Sequence, residues 1–191
     1  MSVLEKTGDA AIRELLDREA IRDCLHRYTR AVDRRDFQLL ETVFWPDATD
    51  NHGAFNGPIA DFYPWVAERV RTWPRTQHNI QQIIISIVGD EAAVETYFVA
   101  YQLKPNGNGG FFDEYVAGRY LDRMTRREND WRVQKRITCF DWFRHMPDTS
   151  EWAASPFGQG RAMGAYKPQD PMYALFGHLI EQPPVVGDVN D

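Results

Sequence analysis

Between Ile12 and Val32, apolar residues return at helical spacing: Ile12, Leu15, Leu16, Ala20, Cys24, Leu25, Tyr28, Ala31 and Val32. The spacing predicts one long amphipathic helix, with Asp9 placed to cap it. Its charged residues, Arg13, Glu14, Asp17, Arg18, Arg22 and Asp23, fall largely on the opposite face. A second, short helix over Phe37 to Phe44 ends before Pro46, since the residue ahead of a proline is pushed out of helical geometry. Asp47 to Phe55 reads as a turn-rich or short extended stretch. Gly57-Pro58 opens a third helix, Ile59 to Thr72, stopped near Pro74. From there the period changes to two. Gln77 to Val88 and Ala92 to Leu103 are strands joined through Gly89-Asp90-Glu91, and Lys104 to Gly110 is a loop. Phe111 to Arg123 and Trp131 to Phe143 make a second hairpin around Glu128-Asn129-Asp130. Helices first and an antiparallel meander afterwards predict an α+β fold.

The stretch after Phe143 has a different character. Residues 145–191 hold six of the eleven prolines, too many for a long regular element. Yet Trp152, Phe157, Tyr166, Met172, Tyr173, Leu175, Phe176 and Leu179 are too apolar for a disordered tail. The chain therefore divides into a domain over 1–145 and an extension over 146–191. The extension is expected to close a pocket mouth or to pack on a neighbouring subunit.

Composition narrows the function. With 191 residues and 43% hydrophobic content there is material for one substantial core. A formal charge of −6 argues against a general nucleic-acid binder. The pairs Arg34-Arg35 and Arg126-Arg127 are short, have acidic neighbours, and read as solvated surface. The polar start has no apolar signal-peptide region, and Ile83 to Val88 is too short to span a bilayer, so a cytoplasmic location is expected. Cys24 and Cys139 fall at apolar positions and read as reduced core thiols. No strand is followed by a phosphate-binding glycine motif, and no His or Cys spacing suits a metal, so no cofactor is expected. Asp47, Asp50, Asn51 and His52 lack the pattern of a calcium loop and are better explained as turn residues.

Two polar residues interrupt the apolar pattern, Asp33 at the end of the first helix and His78 at the start of the first long strand. A carboxylate that grips one imidazole nitrogen leaves the other as a base. By strand alternation His78, Ile80, Gln82 and Ile84 share one face, and Ile83, Ile85 and Ile87 the other. Tyr28 is either a core phenol or a hydrogen-bond donor to a developing oxygen. Trp65, Trp73 and Trp142 read mostly as core.

The order of these pieces resembles the nuclear-transport-factor-2-like superfamily, and within it the SnoaL-like branch, over Ala11 to Phe143. The residues that carry the resemblance include Tyr28 and Asp33 five apart, the Phe44-Trp45-Pro46-Asp47-Ala48 corner and Gly57-Pro58. Further along they are His78, Val88 to Ala92, and Trp131-Arg132-Val133 with Arg136. The resemblance implies a cone: a strongly bent antiparallel sheet wrapped by helices around an internal pocket. It also implies the chemistry of enzymes such as scytalone dehydratase, bile-acid 7α-dehydratase, hexachlorocyclohexane dehydrochlorinase and aryl-propanediol formaldehyde lyases. His78 and Asp33 match the positions of a His–Asp base. Tyr28 matches the bile-acid dehydratase, whereas the dehydrochlorinase has a lysine there. Arg136 matches an active-site arginine on the last strand, and would either pair with Asp33 or bind a substrate oxygen. Similar enzymes are dimers or trimers, so a homo-oligomer is expected.

Two functional classes follow. One is a cofactor-independent lyase, a dehydratase or an aldehyde-releasing retro-aldol enzyme, acting on a hydrophobic, aromatic or polycyclic hydroxylated compound. Its catalytic set would be His78, Asp33, Tyr28 and Arg136. The other is a binding or assembly module, in which His78 and Asp33 only tie helix to sheet. The cavity discriminates between them, since an enzyme needs open apolar space beside these residues and an assembly module would have it filled by side chains.

Overall fold

A computed structural model describes residues 8–149 and 160–177 of the chain. Its elements run α1 (Asp9–Arg34), α2 (Phe37–Leu40), β1 (Phe44–Asn51), β2 (Asn56–Pro58), α3 (Ile59–Arg71), β3 (Arg75–Val88), β4 (Glu91–Pro105), β5 (Phe111–Arg127), β6 (Asp130–Pro147) and α4 (Pro171–Phe176). One six-stranded sheet takes the order β2-β1-β6-β5-β4-β3. The fold is α+β, with the helices against a sheet that does not close into a barrel.

The sheet is mixed rather than purely antiparallel, because β1 runs parallel to β6, with Asp50 beside Arg136 and Asn51 beside Ile137. The second helix is correspondingly shorter than its sequence suggests. It stops at Leu40, and Phe44 already belongs to β1. Pro46 is tolerated within β1 where the register to β6 breaks, between Phe44 and Thr49.

Bulges bend the sheet. Between β5 and β6 the register shifts at Ala117/Gly118, where Gly118 faces Phe140 and Ala117 faces Trp142. A Cβ on Gly118 would lie 2.1 Å from the Cys139 carbonyl oxygen, so only glycine admits this approach. A second bulge, in β3 between Ile80 and Ile83, corrects the face assignment made from alternation. Thr76, His78 and Ile80 point inward, and after the extra residue so do Ile83, Ile85 and Ile87; Gln82 and Ile84 turn out to solvent.

The core lies between the sheet and α1 and α3, with Ile21, Leu25, Tyr28, Phe44, Phe62, Tyr120, Met124 and Trp131 almost fully enclosed. Each such side chain contributes about 1.5–3 kcal/mol by burial. The first turns of α1 do not follow this scheme. Ile12, Leu15 and Leu16 are 58%, 57% and 64% exposed, so the expected stripe meets the core only from Ala20 onward. Here the polar face meets the sheet: Asp17 accepts from Trp131 Nε1 at 2.9 Å and from Arg126, and Arg18 donates to Glu14 and to the Ile85 carbonyl.

The two arginine pairs are solvated surface only in part: Arg127 is exposed and pairs with exposed Asp47, but the other three are engaged in the fold. Arg126 bridges Asp17 and Asp90. Arg35 sits in a left-handed turn that ends α1, and its guanidinium donates to the carbonyls of Val70 and Trp73 at the end of α3. That guanidinium also lies 3.4 Å from the centre of the Tyr166 ring. Tyr166 belongs to the extension and donates from its hydroxyl to the Trp73 carbonyl. Nearby, Asp36 accepts from Lys167 and Tyr173, and Arg34 pairs with Asp170. The described part of the extension thus lies against the corner between α1 and α2. Trp152, Phe157 and Leu179 fall outside the described residues. Trp142, read as core, is 46% exposed. Cys24 is buried and Cys139 half-buried, and both are free thiols; burial pushes the Cys24 thiol up to about 12.

Candidate active site

The site is built where the end of α1 meets the start of β3. The chain reverses at Arg35 just after Asp33, and Thr76 to Ile80 runs past it as the edge strand of the sheet. Asp33 receives the His78 backbone N–H on Oδ2 at 2.7 Å, and its Oδ1 lies 2.7 Å from His78 Nδ1. Both side chains are shielded, at 8% exposure for His78 and 9% for Asp33. Burial alone would raise the Asp33 carboxyl. The charge and hydrogen bonds of His78 outweigh burial and hold it below the usual carboxylate value.

His78 also lines an internal cavity of about 260 Å³. Asp33 does not, so the Nδ1 side of the ring is committed to the carboxylate and Nε2 is the nitrogen left for a ligand. Trp65, Trp73, Phe98, Val116 and Phe140 supply apolar walls, and Arg69, Gln102, Lys104 and Glu114 supply polar groups. No residue of 160–177 lines this space.

Tyr28 lines the same cavity from α1. Its ring packs edge-on against Phe44 and Tyr120 at 6.0 and 5.4 Å between centroids. Burial is the main cause that lifts its phenol well above the ordinary value, so Tyr28 stays an O–H donor.

Arg136 lies elsewhere than either sequence reading put it. Its partner is Asp122, not Asp33: Nε and Nη2 donate to the two Asp122 oxygens at 2.7 Å each, with both side chains fully enclosed. The guanidinium sits 4.2 Å from the Tyr28 ring centre and 4.3 Å from that of Tyr120, and it does not line the cavity. Burial would lower its proton affinity, but the Asp122 charge outweighs this and keeps Arg136 ionised. Its guanidinium stacks on the Tyr28 and Tyr120 rings behind the cavity lining. Asp122 carried no signal in the sequence beyond alternation along β5.

Two residues read from the sequence as turn residues also belong here: Asp50 lies in β1, and His52 starts the β1–β2 turn, its N–H donating to the Phe55 carbonyl at 2.7 Å. Ala48 and Asp50 take the inward face of β1, and His52, which follows at the same alternation, lines the cavity. Asp50 is wholly buried, and His52 Nδ1 lies 3.5 Å from Asp50 Oδ1 and 3.2 Å from Thr138 Oγ1. Only the two-residue spacing of Ala48, Asp50 and His52 could have exposed the pair.

Comparison with known proteins agrees with this architecture. Residues 13–137 match the family model described as a SnoaL-like domain. Uncharacterised proteins of Mycobacterium bovis and Mycobacterium tuberculosis are 31% identical over 138 residues, covering 68% of this chain and 90% of theirs. Among solved structures, a type 2 hexachlorocyclohexane dehydrochlorinase superposes with a TM-score of 0.65 at 20% identity, covering 72% of this chain and 93% of its own. A putative scytalone dehydratase from Novosphingobium aromaticivorans gives 0.61 at 20% identity, covering 72% and 96%. A protein from Kribbella flavida gives 0.63 at 19% identity, covering 69% and 95%. At these identities the structures speak for the fold.

Proposed function

This chain belongs to the SnoaL-like family, and from that premise we propose that it is a cofactor-independent lyase in which His78, oriented by Asp33, is the general base. One observation carries the reading: an imidazole held by a buried carboxylate reaches an open cavity with mostly apolar walls. An assembly module gains nothing from leaving that space open beside an oriented base. The Tyr28 phenol, protonated and in the same cavity, is the donor to an oxygen on which charge develops.

The cavity size narrows the substrate. An apolar cavity of about 150 Å³ holds a benzene molecule, so one of about 260 Å³ suits a compound of one or two rings. It is small for a polycyclic one. Two reactions use this equipment. In a dehydration the base takes a proton from carbon and water departs. In a retro-aldol cleavage it takes a hydroxyl proton and a small aldehyde departs.

The row Phe140, Trp142, Phe143 and Met146 on β6, each 45% exposed or more, supports assembly into a homo-oligomer. Sedimentation of the full chain checks this, and a monomer at all concentrations contradicts it.

Incubation with aryl-propanediols, polyketide-like phenols and hydroxysteroids, followed by mass spectrometry, tests the activity. One-ring and two-ring compounds are expected to lose water or formaldehyde while the steroids persist. A panel neither bound nor changed would overturn the lyase reading.

A further inference from the structure

A second imidazole reaches the cavity from a strand remote from the first. β1 and β3 are separated in the sheet by β6, β5 and β4, yet His52 after β1 and His78 on β3 line one space. Each has a carboxylate behind its Nδ1, Asp50 for His52 and Asp33 for His78.

The surroundings of the two differ. Asp33 spends both oxygens on His78. Asp50 is fully buried, and neither of its oxygens has a hydrogen bond among the described residues. It belongs to a row of charges across three adjacent strands, Asp50 on β1 facing Arg136 on β6, and Arg136 facing Asp122 on β5. Arg136 commits Nε and Nη2 to Asp122, and its Nη1 is likewise buried without a hydrogen bond. The row sets two carboxylates beside one guanidinium, and the His52 imidazole stands between Asp50 and the cavity. Rings of Phe62, Trp65 and Phe140 flank the imidazole, and its Nδ1 lies toward Asp50 and Thr138, so Nε2 is the nitrogen left for the cavity.

We propose that His52, positioned by Asp50, is the general acid that protonates the departing oxygen, which makes the reaction a dehydration. The inference rests on the lyase reading and goes beyond it by fixing the leaving group. A halide or an already acidic leaving group needs no proton, whereas hydroxide departs at useful rates only as water. His78 Nε2 takes the proton from carbon, and that electron pair forms the new carbon–carbon double bond. The carbon–oxygen pair goes to oxygen, which takes the His52 proton and leaves as water. His78 then yields its proton to solvent, and His52 regains one, restoring both groups.

The test pairs substrates that differ only in the leaving group. The probes are one-ring and two-ring β-hydroxy ketones, among them the aldol adduct of benzaldehyde and acetone, each beside its O-acetyl ester. Both members of a pair give the same enone, which absorbs in the ultraviolet. His52→Gln should lower kcat/KM for the hydroxy ketones about 10²–10⁴-fold and for the esters by less than about tenfold. Asp50→Asn should show the same split in smaller measure, while His78→Ala should slow both reactions about 10²–10⁴-fold. Equal losses on both leaving groups, or none on the hydroxy ketones, in variants that melt like the wild type would overturn the role of His52 alone. A wild-type protein that turns over neither member of any pair would overturn the elimination chemistry and this inference with it.

Discussion

His78 holds Asp33 twice, its backbone N–H on one carboxylate oxygen and its ring nitrogen on the other, each at 2.7 Å. The backbone bond fixes the carboxylate, and the carboxylate then fixes the ring, so strand position and imidazole orientation are a single constraint. A group that merely linked helix to sheet would need one of these bonds.

The same relationship has a pH signature. The Asp33 carboxyl is held below its ordinary value by the His78 charge and hydrogen bonds, against the effect of burial. A carboxyl depressed on folding stabilises the fold fully above its unfolded value, about pH 4, and that contribution is lost as pH falls through the lower folded value. Thermal melts should therefore show the gap between wild type and Asp33→Asn at its widest above about pH 5 and shrinking below about pH 4. A gap constant across that range would contradict the assignment.

Arg136→Met should destabilise the protein by about 3–5 kcal/mol, because it leaves Asp122 buried without its partner. Replacing both, as Arg136→Met with Asp122→Leu, should recover much of the loss. Urea denaturation midpoints measure this. A single variant as stable as the wild type would mean the pair is not enclosed as described.

Tyr28→Phe keeps the ring contacts to Phe44 and Tyr120 and removes only the hydroxyl. If that phenol stabilises a developing oxygen, kcat should fall about 10²–10³-fold with little change in KM or melting temperature. Unchanged kcat would reduce Tyr28 to core packing.

Much of the site was legible because its residues broke a local period. Asp33 and His78 stand out as polar positions in apolar stripes, and the first helix, the third helix and both hairpins follow from spacing and turn residues. His52 and Asp50 were hidden by their company. Pro46, Asp47, Asp50, Asn51 and Gly53 make a sound turn by local chemistry, and it takes pairing with β2 and with β6, the latter more than eighty residues later, to turn Phe44–Asn51 into a strand. The bulge at Ile80/Ile83 is invisible for the same kind of reason, since it is defined by the register of β4 rather than by β3 itself. Arg136 was legible as an interior residue but not its partner, because Asp122 is set beside it by the β5–β6 register after the Arg123/Met124 shift. At the start of α1 the outward turn of Ile12, Leu15 and Leu16 follows from Asp17 binding Trp131 and Arg126, both more than a hundred residues away.

The central claim, that His78 held by Asp33 is the base, is tested most directly by kcat/KM of His78→Ala on a compound the wild type consumes. A folded His78→Ala protein should be slower by about 10²–10⁴-fold, and near-normal turnover by that folded variant would contradict the account.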